Sequence, residues 1–196
     1  MSLNLQGFQH LSRIAFGAVL LMAGNVYADD AAMLDGARQV AVAVPANLSK
    51  VLKQEMAEGG VVSAVGVCHE KAPQMAKAAS EKTGWAIRRV SLKNRNPKAV
   101  PDAWERAGLE DFDRRAAAGE DPATLEKFGM VESGGSKEFR YMKALPVQEM
   151  CLACHGTTDT MAPDAVEKIH ALYPDDLGTG YRMGQLRGAI TLRKAN

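Results

Sequence analysis

The run Cys151-Leu152-Ala153-Cys154-His155 constrains this chain more than any other feature. Two cysteines separated by two residues, with a histidine directly after, are the attachment pattern of a c-type haem. The spacing has a geometric reason. Two intervening residues let both thiols reach the two vinyl groups along one haem edge, and the next residue turns its imidazole to the metal from the same face. With three cysteines and four histidines in 196 residues, a chance match is about one in a thousand. Two other chemistries use part of the pattern. A redox dithiol places Cys-x-x-Cys at a helix start and has no use for the following histidine. A zinc site needs further ligands, and Cys68, His69 and His170 are the ones to hand. The motif therefore points to one covalent haem c, and with it to a protein matured after export.

The N-terminus independently supplies an export signal. Arg13 precedes an apolar run from Ile14 to Ala23, followed by Gly24 to Ala28 and then Asp29-Asp30. A basic flank, a short apolar stretch and a small-residue junction read as a signal peptide over residues 1–28, cleaved after Ala28. A spanning helix needs about 20 apolar residues, twice this run, so no membrane span is expected once the signal is removed. No cysteine lies near the junction to carry a lipid anchor. The expected location is periplasmic and oxidising, yet three cysteines are too few for a disulfide scaffold. Lys+Arg 24 against Asp+Glu 23 gives a net charge of +1, which makes no electrostatic case for nucleic acid. Residues 29–196 read as a single domain.

Within that domain, Asp30 to about Glu58 has helical composition, with Pro45 forcing a break or kink. Gly59-Gly60 punctuates it, and a second helix runs from Val61 to about Lys82, stopped by Gly84. Trp85 to Leu92 reads as a strand whose apolar phase changes between Ile87 and Val90, as a bulge at Arg88-Arg89 would produce. Asp102 with Glu105 three residues on starts a helix that ends near Gly119. Phe128 to Leu145, interrupted by Ser133-Gly134-Gly135-Ser136, reads as a hairpin. Leu186, Gly188, Ile190 and Leu192 alternate along a last strand. Helices followed by antiparallel strands make an α+β pattern.

With Cys151 and Cys154 committed to thioethers, Cys68 is left unpaired in an oxidising compartment. In a continuous helix Val61, Val65, Cys68, Ala72, Met75 and Ala79 share one apolar stripe, and Pro73 kinks it just beyond the cysteine. Cys68 then reads either as a small buried hydrophobe or as an iron ligand. His69, Met75, Met161 and Met183 are rival ligands.

The chain resembles the PAS-like monohaem c-type cytochromes, formerly a domain of unknown function and often the periplasmic sensor part of chemoreceptors and histidine kinases. The resemblance rests on Val67 to Pro73, Arg95-Asn96-Pro97, Trp104-Glu105, Cys151 to Gly156, Tyr173-Pro174-x-Asp176 and Gly180-Tyr181-x-x-Gly184-x-x-Arg187-Gly188-Ala189. It covers essentially the whole of residues 29–196, departing at Ala99, where asparagine is expected, and at Gly178, where alanine is. It implies a PAS-like antiparallel sheet with long N-terminal helices. It also implies an axial pair made of the motif histidine, His155, and a cysteine thiolate, Cys68.

Arg88, Arg89, Arg140, Tyr141 and Tyr181 are candidates to meet the haem propionates. Gly180, Gly184 and Gly188 either let backbone approach a flat cofactor or form turns. The expected task is redox or gas sensing, or electron transfer, with a redox or sensor partner protein and a diatomic gas as a ligand of the iron. The rival is a haem enzyme of peroxidase type, which needs an open iron position and an acid–base residue such as His69. Nothing resembles a catalytic triad, a phosphate loop or paired carboxylates.

Overall fold

In the computed structural model, residues 20–195 are described, the side chains of residues 20–29 and of Ser133 excepted. The chain forms two compact units, Met1–Met33 and Leu34–Asn196. The first is described only as helix from Leu20 onward, so most of the expected signal segment lies outside the described residues. Among the described residues no helix is long and apolar enough to cross a membrane.

The second unit is built on a four-stranded sheet in the order β1-β4-β3-β2. Its strands are β1 (Ala86–Val90), β2 (Glu126–Ser133), β3 (Ser136–Pro146) and β4 (Leu186–Ala195), every neighbouring pair antiparallel. The β2–β3 hairpin turns at Gly134 and Gly135, with φ of 59° and 83°, angles that favour glycine at both positions of a tight turn. β4 is central, and its residues Gly188 to Leu192 are buried without a break. Both faces of the sheet are covered.

One face carries α3 (Ala103–Ala117). Its start is the expected capping box, with Asp102 accepting from the Glu105 N–H at 2.9 Å and Glu105 accepting from the Asp102 N–H at 2.9 Å. Leu109 and Phe112 pack on Val90, Met142, Ala144 and Ala189. Fully buried Glu105 meets Arg193 at 3.1 Å, Arg140 at 3.3 Å and Arg88 at 3.3 Å. Several cations on one carboxylate offset its desolvation; removing the carboxylate would strand them.

The other face carries the part of α1 (Leu20–Gly66) that lies within this unit, from Leu34 onward. Ala37, Ala41 and Leu48 are buried along it, and Arg38 Nε donates to Glu126 at 3.1 Å. Pro45 neither ends nor breaks this helix; the non-helical residue is Gly60, with φ 76°. A π-helical turn, Val67–Lys71, joins α1 to α2 (Ala72–Thr83), which ends at left-handed Gly84 as expected.

The expected bulge at Arg88-Arg89 is absent: β1 pairs with β4 in unbroken register, and the irregularity falls at Leu145/Pro146 of β3. Alternation explains the misreading. Val90 packs beneath α3 and Arg88 reaches Glu105 on the same face, so Ile87 and Arg89 share the other. Each face holds one arginine and one apolar residue, which mimics a change of phase.

Candidate functional site

Gln148 begins a single 3-10 turn, Glu149–Cys151, which runs straight into the one-turn helix α4 (Leu152–His155). Gly156 ends it tightly, since a Cβ there would lie 2.6 Å from the Leu152 carbonyl oxygen. α5 (Pro163–Leu172) and the end of α1 enclose the motif through Val65, Met161 and Ile169, with Cys154 packed against them. The segment after α5 then runs back along the motif. The Gly180 N–H donates to the Gly156 carbonyl at 2.7 Å, and the Tyr181 N–H to that of His155 at 2.9 Å.

This segment also fixes the His155 ring. Nδ1 lies 2.6 Å from the Gly178 carbonyl oxygen, which only accepts, so Nδ1 carries the proton and Nε2 keeps its lone pair for a metal. Arg187 Nε lies 3.2 Å from the same Nδ1. It stands there as a cation beside the ring, held by Nη1 donating to Ser91 Oγ at 2.9 Å and to the Lys93 carbonyl at 3.1 Å. Burial pushes the His155 pKa well below its ordinary value, and the Arg187 and Arg95 charges push the same way. The imidazole is neutral, the form that binds iron.

Arg95 ties its own loop and that of Asp176 to the motif. Its Nη2 donates to the Cys154 carbonyl at 2.6 Å and to Asp176 Oδ2 at 2.9 Å, and both side chains are buried. Arg95, Asp176 and Arg187 all stand inside the motifs of the resemblance, but spacing alone assigns them no role.

His155 and Cys68 line one cavity of about 390 Å³, a volume typical of small-molecule sites. Val44, Leu48, Ile87, Leu145 and Ile190 supply apolar walls. Five basic residues and no acidic one line it with side chains on this face, Lys77, Arg89, Arg95, Lys98 and Arg187, and the backbone of Arg88 borders it. Arg88 is committed to Glu105 and Arg95 to Asp176, while Arg89 and Arg187 meet no carboxylate among the described residues. A flat apolar guest with anionic edges fits this wall, and a haem with its two propionates is such a guest.

Cys68 stands in the π-helical turn, a distortion that recurs at functional sites. Burial pushes its thiol up, while Arg89, Arg95 and Arg187 pull it back. Cys154 is pushed to about 11, first by burial and then by the charge of Cys68, so the sulfurs share one neighbourhood. Cys151 and Cys154 do not themselves line the cavity, and all three cysteines are free. Among the described residues no three His, Cys, Asp or Glu side chains converge as a metal cage, so the zinc reading finds no ligand set.

The rival ligands separate clearly. Met75 lines the cavity. His69 is exposed and edge-on to Tyr173 at 5.2 Å, Met161 packs with Val65 and Ile169, and Met183 is 61% exposed elsewhere. The propionate candidates separate likewise. Arg140 is spent on Asp102 and Glu105, and the Tyr141 hydroxyl donates to Glu126 at 2.8 Å. Tyr181 is absent from the cavity wall, which leaves Arg89. Gly180 and Gly184 take positive φ in turns, whereas a Cβ on Gly188 would run into the Val90 carbonyl, so that close approach is to backbone.

The sequence matches the Tll0287-like family over residues 25–194. The structure is similar to the crystal structure of the cyanobacterial heme-protein Tll0287, with 25% identity and a TM-score of 0.55, covering 79% of this chain and 94% of that one. No curated protein matches the sequence.

Proposed function

Since this chain belongs to the Tll0287-like family, we propose that it is an exported monohaem c-type cytochrome with one haem joined through Cys151 and Cys154 and His155 and Cys68 as axial ligands. The observation that carries this reading is that His155 and Cys68 line one cation-rich cavity beside the motif cysteines. When bound, haem supplies a one-electron ferric/ferrous couple. His155 offers Nε2 because Gly178 holds the proton on Nδ1. Cys68 would offer its sulfur from the π-turn, Arg89 and Arg187 would be the cations for the anionic edge, and Leu48 and Ile190 would exclude water.

The task proposed is electron transfer or redox and gas sensing, in the periplasm, with a redox or sensor protein as partner. With haem bound, His155 and Cys68 would be the two side chains that hold the iron, and release of Cys68 would be the way in for a diatomic gas. The alternative, a haem enzyme of peroxidase type, needs an open position and an acid–base group at the cavity. His69, the histidine near Cys68 in sequence, is exposed and forms no part of the cavity wall.

Denaturing electrophoresis tests the attachment. Expressed in cells competent for cytochrome c assembly, the protein should keep its haem through boiling in detergent, and Cys151→Ala or Cys154→Ala should weaken or abolish that retention. Wild-type polypeptide running free of haem would overturn the reading. The ferric spectrum should be six-coordinate and low-spin; a high-spin spectrum with rapid cyanide binding would favour the peroxidase-type alternative.

A further inference from the structure

A second recess, of about 740 Å³, shares Ser91 and Gly188 with the haem cavity and opens toward α3 and the 180–186 segment. Its volume also suits a small-molecule site. Leu92, Leu109 and Leu186 give it an apolar lining. Tyr181 lines this recess and not the cavity, and its hydroxyl makes no hydrogen bond among the described residues and keeps contact with solvent. A hydroxyl placed there is free to donate to a guest in the recess. Asp113, also on the wall, has neither hydrogen bond nor ion pair among the described residues. Lys93 has no carboxylate partner there either; its ammonium lies 4.5 Å over the Tyr181 ring and donates to the Thr179 carbonyl, with two N–H groups to spare.

One free carboxylate, one free ammonium and one unpartnered hydroxyl around a leucine-lined hollow match a small molecule bearing both charges on an apolar body. We propose that the recess binds a zwitterion of the apolar α-amino acid class, its ammonium on Asp113 and its carboxylate on Lys93 and Tyr181. Occupancy is felt at His155. The Tyr181 N–H holds the His155 carbonyl at 2.9 Å, its ring stands edge-on to the imidazole at 6.4 Å, and Lys93 holds the same segment through Thr179. This coupling rests on the haem reading above; the binding does not.

The test is titration calorimetry of the full haem-loaded chain with L-phenylalanine and L-leucine, alongside absorption spectra. Phenethylamine and phenylacetate each keep one of the two charges. Saturable heat is expected with the amino acids, with at least tenfold weaker binding of each single-charge compound. Asp113→Asn should weaken phenylalanine binding tenfold or more, Tyr181→Phe should weaken it less, and phenylalanine should shift the haem Soret band. No saturable heat with either amino acid overturns the proposal, as does binding that Asp113→Asn leaves unchanged in a variant with wild-type circular dichroism. Phenethylamine binding as tightly as phenylalanine overturns the zwitterion assignment. Heat without a band shift overturns the coupling. A sample with no Soret band at all would count against the haem reading alone, because the heats would still report on the recess.

Discussion

Cys68 shows how one residue's surroundings separate two readings that its spacing leaves open. On a regular helix, Val65 and Cys68 fall on one stripe. The π-turn at Val67–Lys71 splits that stripe, so Val65 packs with Met161 and Ile169 while Cys68 lines the cavity. As an iron ligand its thiolate would stabilise ferric iron over ferrous, because the ferric centre carries the greater positive charge. The midpoint potential should therefore lie well below that of a His/Met cytochrome. Cys68→Met should raise it by a sizeable part of the ~0.8 V that axial ligands span, provided the longer side chain reaches the metal. Potentiometric titration of both forms checks this. A potential that Cys68→Ala leaves unchanged would remove Cys68 from the coordination sphere and point to Met75, the rival that shares the cavity wall.

At the scale of elements, the contact between α1 and the hairpin runs through Glu126. The Arg38 hydrogen bond holds the Glu126 carboxyl below its ordinary value against the opposing effect of burial, and the Tyr141 hydroxyl adds to the depression. A carboxyl depressed in the folded state contributes stability that is fully present above the unfolded value, about 4.3 for glutamate, and is lost as pH falls through the folded value. The difference in urea midpoint between wild type and Glu126→Gln should be largest at neutral pH and shrink below about pH 4. A difference that stays constant from pH 7 to pH 3 would mean that the ion pair does not hold this contact. Most elements were legible in the sequence because their signals are local. Asp102 with Glu105 caps α3, Gly134-Gly135 turns the hairpin, and alternation marks β4. The misreadings come from tertiary context. Pro45 sits inside α1, whose interruption falls instead at Gly60, as Gly59-Gly60 signals, and Arg88 is tolerated under α3 only because Glu105 is buried to receive it.

At the scale of the whole molecule, the motif cysteines and His155 can be read from spacing alone, but the charge around them cannot. Arg89, Arg95 and Arg187 come from separate loops and strands and converge only in the folded chain, while Arg140, equally plausible in sequence, is drawn to the opposite face by Asp102 and Glu105. That convergence has a cost when no anion is bound. Burial, with repulsion from Arg89 and Arg95 added to it, pulls the Arg187 pKa down to about 10 against the opposing effects of Tyr181 and Asp176. A guest with carboxylate edges relieves the repulsion; a cavity without one keeps it. Arg89→Gln should therefore act with opposite signs on two forms of the protein. In the haem-free Cys151→Ala/Cys154→Ala variant it removes a like charge and should raise the melting temperature. In the haem-loaded protein it removes a partner of the anionic edge and should lower it. Because Arg89 is exposed at the cavity rim, solvent screening limits the effect to about 0.5 kcal/mol, or about 1–2 °C in a chain of this size. Added salt should narrow the difference in the haem-free form. Thermal unfolding of the four proteins at low ionic strength measures it. Equal destabilisation of both forms would make Arg89 a structural residue and remove the electrostatic reason for an anionic guest.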